Sequence, residues 1–192
     1  MVHHGRHYSG EVPGRLVREA REMLKEGGPK QINLRALAAR AGITAGSVYH
    51  HYESKTELLG VLAAGGFVEL RRELERASRE VEVVARLRAW AKAYCGFVER
   101  EPGLFELMFE AEIAALTPVG EARAAVIADL RQIVAEVAGR YGRGERRAEE
   151  VTLAVWAAAH GAASLGASAP PRSKLIEDVI TGLEALFGAP GS

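Results

Sequence analysis

A single cysteine, Cys95, stands in a chain of 192 residues. It has no partner for an intramolecular disulfide and no second thiol for a zinc site, which suits a reducing compartment. No apolar run approaches the ~18 residues needed to span a bilayer. The opening MVHHGRHYSG also lacks the apolar core of a secretion signal. These absences place the chain in the cytoplasm. Internal repeats, low-complexity linkers and the alternating pattern of half-buried strands are missing too. Net charge is absent overall, 25 Lys and Arg against 25 Asp and Glu. What remains, 48% hydrophobic and 26% charged residues, is the balance of a soluble globular protein. The length allows one ordinary domain, or two small ones sharing a core.

The zero net charge hides an asymmetry. Residues 1–60 carry nine basic against six acidic side chains, +3, and residues 61–192 carry 16 against 19, −3. Between residues 27 and 56, Lys30, Arg35, Arg40 and Lys55 face Glu53 alone, and five of the six histidines precede residue 52. A basic first third fits a polyanionic partner, although a difference of this size also describes an ordinary solvated face. His3, His4 and His7 suggest a metal-binding tail less readily than a frayed terminus.

Apolar residues recur at three and four, the period of helices. Leu16, Ala20, Met23 and Leu24 form a stripe that Gly27-Gly28-Pro29 ends. Asn33 is a good N-cap for a second helix carrying Leu34, Leu37, Ala38 and Ala41 before Gly42 stops it. Thr44 caps a very short third helix reaching about Tyr52, and Ser54-Lys-Thr-Glu57 has capping-box spacing for a fourth. Beyond residue 60 the helices lengthen. One bears Val84, Leu87, Ala91, Tyr94 and Val98 and ends near Glu101 ahead of Pro102. Pro102 starts the next, with Leu104, Phe105, Met108 and Phe109, which stops before Thr117-Pro118. Helices at about 120–139, 146–166 and 173–187 follow, the last after Ala169-Pro170-Pro171. The expected fold is all-α: a short-helix head on a longer-helix body, about nine helices in total.

Residues Asn33 to Tyr52 read as a helix-turn-helix, with Gly42 supplying the turn and Ala38 the small residue where the helices meet. Leu37, Ile43 and Val48 close a small core beneath it. Such geometry presents residues 44–51 to a major groove.

Residues 31–63, QINLRALAARAGITAGSVYHHYESKTELLGVLA, resemble the DNA-binding head of the tetracycline-repressor (TetR) family. Ala38, Ala41, Gly42, Tyr49, His51 and Lys55 match its pattern, with Ile43 for Val, Thr44 for Ser and Tyr52 for Phe. EPGLFELMF at 101–109 and VWAAAHGAASL at 155–165 resemble the Trp-x3-His-Gly subgroup of C-terminal regulatory domains, through Trp156, His160 and Gly161. The head motif is the more specific, since aromatic and Ala-rich helices recur in many bundles.

The resemblance implies roles for named residues. Tyr49 and His51 contact phosphates or base edges, and Lys55 pairs with a phosphate. Arg35 reaches the backbone or a guanine edge. Thr44, Ala45, Gly46 and Ser47 lie deepest in the groove, and His50 is a further contact. Many relatives have Lys or Gln where this chain has Ala45, so one polar reader is missing. The implied protein is a ligand-responsive regulator, expected to be a repressor, that binds a palindromic operator on double-stranded DNA as a homodimer through its last two helices. A small, largely apolar effector would meet Trp90, Tyr94, Phe105, Met108, Phe109, Trp156 and His160, and no cofactor or metal is expected. The expected division is a flexible tail at 1–10, a DNA-binding head at 11–56, a connecting helix at 57–80 and an effector and dimerisation domain at 81–192.

Plainer readings stand beside these. Tyr52 is better placed in the core than on DNA, and Arg40 is either a contact or a solvated charge. Each aromatic of the body is individually more at home in a core than on a ligand. His160 is either a satisfied buried histidine, the favoured reading, or a polar anchor in a pocket. His50 and His51 point about 100° apart on a helix and make a poor metal pair. An enzyme is not expected, because Cys95 and His160 have no third orienting group and no oxyanion motif.

Overall fold

The computed structural model describes residues 11–79, 82–140 and 146–165, together with 178 and 181. The N-terminal histidines and the helix expected at 173–187 lie outside the described residues. Among the described residues the regular structure is helical, as the periodicity of three and four requires: α1 (Glu11–Gly27), α2 (Leu34–Arg40), α3 (Ala45–Tyr49), α4 (Lys55–Ala77), α5 (Val83–Arg100), α6 (Pro102–Phe109), α7 (Ala111–Ala114), α8 (Thr117–Arg140) and α9 (Arg146–Leu165), with a 3-10 turn at Pro29–Gln31. No helix among them is long and apolar enough to cross a membrane.

The chain packs as two compact units that are not contiguous in sequence. One holds residues up to Phe67 together with Glu101–Ala122; the other holds Val68–Arg100 and the residues from Arg123 onward. α6 and α7 fall in the first unit. The reason is visible at Gly103. A Cβ there would overlap the Leu24 carbonyl oxygen and lie 3.1 Å from its carbon, so only glycine lets the start of α6 rest on the last turn of α1. An Arg21–Glu101 ion pair at 3.3 Å reinforces the same junction.

In the first unit, the stripe Leu16, Ala20, Met23 and Leu24 is buried, together with Leu37, Ala38, Val48, Tyr52, Leu58 and Leu62. Ile43, expected to close this core, remains half-exposed at the turn. In the second unit, α5 packs on α9. Its buried face is Trp90, Tyr94, Cys95, Phe97 and Val98. The stripe read from the sequence, through Leu87 and Ala91, was displaced by part of a turn; both of those residues stay half-exposed. The largest rings remove the most apolar area from water and so set the helix rotation.

Two boundaries also differ from expectation. The segment after Pro102 breaks at Glu110, in extended geometry (φ −60°, ψ 128°), before the single turn of α7. Pro118 lies inside the first turn of α8 rather than ahead of it, where its missing N–H costs no hydrogen bond.

Candidate functional site

The head is fixed by local hydrogen bonds that its sequence supplies. Asn33 Oδ1 accepts the backbone N–H groups of Arg35 (2.8 Å) and Ala36 (3.4 Å), which caps α2. At its other end Gly42 takes φ 66°. The Gly42 N–H donates to the Ala39 carbonyl (3.1 Å) and the Ile43 N–H to the Ala38 carbonyl (2.9 Å). This is the double bond of a Schellman turn, and it aims α3 away from α2. Thr44 Oγ1 then accepts the Ser47 N–H at 3.2 Å and lies 3.0 Å from the Ser47 hydroxyl. The Ser54 hydroxyl accepts the Glu57 N–H at 3.0 Å. In return the Glu57 carboxylate accepts the N–H of Glu53, one residue earlier than a standard capping box would use. A carboxylate thus holds the link between α3 and α4.

This framework leaves one face uncovered. Tyr49, the last residue of α3, is 57% exposed, although it carries a large ring. Thr44, Gly46, His50, Lys55 and Arg35 are exposed, and Ala45, Ser47 and His51 are half-exposed. All nine head residues named from the sequence therefore lie in the first unit, and none is buried. Val48 and Tyr52, from the same stretch, point inward and are buried at 0% and 7% exposure. Burial, with a smaller contribution from the Glu57 charge, raises the Tyr52 phenol above its ordinary value.

Arg40 does not join that face. Its guanidinium grips Glu26 with two bonds, 2.6 and 2.7 Å, and reaches Glu19 at 3.4 Å, tying α2 to α1. The hydrogen bond to Arg40 lowers the Glu26 carboxyl below its ordinary value. Sequence could not assign this role, because the acidic partners are 14 and 21 residues away.

The residues named for an effector separate into two groups. Trp90, Tyr94, Trp156 and His160 meet in the second unit. Trp90 stacks on Tyr94 (centroids 5.4 Å, 14°), and Trp156 stands edge-on to Tyr94 at 5.3 Å. The Tyr94 hydroxyl and His160 Nδ1 lie 3.1 Å apart in a hydrogen bond. Burial lowers the His160 pKa, so the neutral ring is favoured. The Trp90 indole N–H is buried and finds no hydrogen-bond partner among the described residues. Phe105, Met108 and Phe109 lie instead in the first unit, where Phe109 meets Phe105 at 4.8 Å and Phe67 of α4 at 5.4 Å. Chain order suggested one cluster, but α6 departs from α5 at Pro102 and takes its rings to α4.

Cys95 is buried, and mainly that burial pushes its thiol up to about 11. Among the described residues no group of three His, Cys, Asp or Glu side chains is placed to hold a metal ion.

A helix-turn-helix head with an exposed recognition helix, joined to a helical body, defines the class. Residues 16–62 match the family described as bacterial regulatory proteins, tetR family, and residues 87–186 match the tetracyclin repressor-like C-terminal domain. The second match alone covers more than half of the chain, which therefore belongs to the TetR family of regulatory proteins. Over 98 residues it is 34% identical to the HTH-type transcriptional repressor KstR2 of Mycobacterium tuberculosis; the aligned stretch is 51% of this chain and 42% of that one. The chain thus spans less than half the length of that relative. Among solved structures, a Rhodococcus sp. RHA1 protein with unknown function superposes with a TM-score of 0.79 at 28% identity, covering 93% of this chain and 96% of the other. The fold is also that of the regulator FadR from Bacillus subtilis in complex with stearoyl-CoA, at a TM-score of 0.73 and 14% identity, over 88% and 96% of the two chains.

Proposed function

We propose that this protein is a ligand-responsive transcriptional repressor that binds a palindromic operator as a homodimer in the cytoplasm. The observation that carries the reading is the uncovered α3 face, where Tyr49, His50 and His51 precede Lys55 while Val48 and Tyr52 of the same segment are buried. A five-residue helix set between a Schellman turn and its own Thr44 cap is a rigid projection. A rigid projection fits a groove. Tyr49, His51 and Lys55 serve as phosphate or base contacts and Arg35 as a backbone contact.

One short helix offers few contacts, so two heads must act together on half-sites about 34–36 Å apart or a multiple of that. The outer side of α9 supports pairing. Leu153 is 67% exposed, and Ala154 and Ala157 beside it are exposed as well, an apolar stripe at helical spacing. The helix expected at 173–187 is the second element of that interface.

The effector is small and largely apolar, and the group formed by Trp90, Tyr94, Trp156 and His160 is its contact surface. The buried Trp90 N–H, without a partner among the described residues, supports this, since an acceptor on the effector would satisfy it. Trp156, His160 and Gly161 on α9 fit the Trp-x3-His-Gly subgroup. The stearoyl-CoA complex of the Bacillus subtilis FadR shows that this fold can house an apolar chain in another protein. Because a ligand shifts a two-state balance only through differential affinity, DNA and effector must weaken each other by the same factor. Incubating the full chain with genomic fragments and sequencing those retained tests the reading. Enrichment of a two-fold symmetric motif supports it; uniform retention, or a stable monomer at micromolar concentration by light scattering, overturns it.

A further inference from the structure

Residues 44–51, TAGSVYHH, contain no Arg, Lys, Asn, Gln, Asp or Glu. Those are the side chains that pair with guanine, adenine and cytosine edges through two hydrogen bonds or a strong acceptor. The two hydroxyls at the front of α3 are occupied with each other: Thr44 Oγ1 takes the Ser47 N–H and faces the Ser47 hydroxyl at 3.0 Å. What the front of the helix presents is carbon, the Ala45 methyl, beside the bare backbone of Gly46.

Gly46 has no reason within the chain to be glycine. Its backbone is not left-handed, since the positive-φ glycines among the described residues are Gly28 and Gly42. A Cβ at Gly46 would meet only Thr44 Oγ1, at 3.8 Å, an ordinary contact. It is exposed, and it sits inside a helix where alanine is the better former. A glycine kept against helix propensity and without internal crowding leaves room for something outside the chain.

We propose that the operator half-site is read through thymine: the Ala45 methyl packs on a thymine 5-methyl group in the major groove, and Gly46 lets the backbone of α3 come down to the base edges. This rests on the DNA-binding reading above. Thymine is the one base whose major-groove edge offers an apolar group. Ala45 is therefore a specificity-determining residue, and its small size is the source of the selectivity.

The test begins with selection of a random-sequence duplex library by the full-length protein. The recovered sequence is then synthesised with uracil replacing thymine one position at a time, which removes only the methyl. At one position in each half-site, affinity should fall about four-fold per methyl. Ala45→Gly should erase that difference while leaving the helical circular dichroism unchanged. Gly46→Ala should move two readouts in opposite directions: the melting temperature rises by about 1–4 °C, and operator affinity falls about 100-fold, one lost base contact in each half-site. Uracil tolerated at every position overturns the proposal, as does uracil sensitivity that survives Ala45→Gly. A Gly46→Ala protein that binds the operator as well as wild type removes the close approach. Enrichment of no sequence at all would instead remove the DNA-binding reading, and this inference with it.

Discussion

Gly103→Ala should destabilise the protein, whereas the same substitution at Gly65 should stabilise it. Both glycines are helical, Gly103 in the first turn of α6 and Gly65 in the middle of α4. Replacing glycine with alanine reduces the freedom of the unfolded chain and favours the helix, a gain of about 0.4–1 kcal/mol where space permits. At Gly65 nothing lies within 4 Å of the added Cβ, so the whole gain should appear. At Gly103 the Cβ overlaps the Leu24 carbonyl oxygen and lies 3.4 Å from the Gly28 Cα, and both obstacles are backbone. Backbone cannot rotate away, so α6 must lift from α1 at an overpacking cost of about 1–3 kcal/mol. The net loss is about 1–2 kcal/mol, or about 2–8 °C in melting temperature for a chain of this size. Thermal melts followed by circular dichroism at one fixed protein concentration measure it, since an oligomer's midpoint depends on concentration. A Gly103→Ala protein as stable as wild type would refute the claim that glycine permits the α1–α6 junction.

Lys55→Ala should lower the slope of log affinity against log salt by about two, the signature of one lost phosphate contact in each protomer of the dimer, in a salt titration on the selected operator. Arg40→Ala should leave that slope unchanged, because its guanidinium is committed to Glu26 and Glu19; an equal fall for both variants would contradict the assignment. Thr44→Ala removes the cap of α3 and should cost about 1 kcal/mol in urea unfolding. His160 has a folded pKa below its ordinary 6.5. The unfolded chain therefore takes up its proton first, and this stability, fully present above about pH 6.5, is lost as pH falls through the folded pKa. Subtracting His160→Gln melts from wild-type melts across pH 5–8 isolates that component, and a flat difference would count against it.

The helical class, the caps at Asn33 and Thr44, the turn at Gly42 and the stop at Pro102 were all legible in the sequence. The orphan N–H groups at each helix start and the carbonyls at each end are satisfied within a few residues, so local chemistry decides them. The nine residues proposed to meet DNA lie within residues 35–55, and none of them is buried. Tyr52 lies past the end of α3, so it does not share the face of Tyr49: the one is buried and the other exposed.

The tertiary structure alone decided where distant residues meet. Arg40 was undetermined until α1 brought Glu19 and Glu26 beside it, because an ion pair has no periodicity in sequence. The buried face of α5 is marked by Trp90 and Tyr94, whose rings meet Trp156 of α9, while Leu87 and Ala91 stay half-exposed at its edge. The seven residues expected around one effector divided between two units, since Pro102 ends α5 and the bare Cα of Gly103 lets α6 settle on α1. Sequence by itself determined what each segment becomes, because backbone hydrogen bonds and dihedral preferences act over a few residues. Which segments bury one another depends on side-chain volume and on the closest approach of two backbones, and those exist only once the chain has folded.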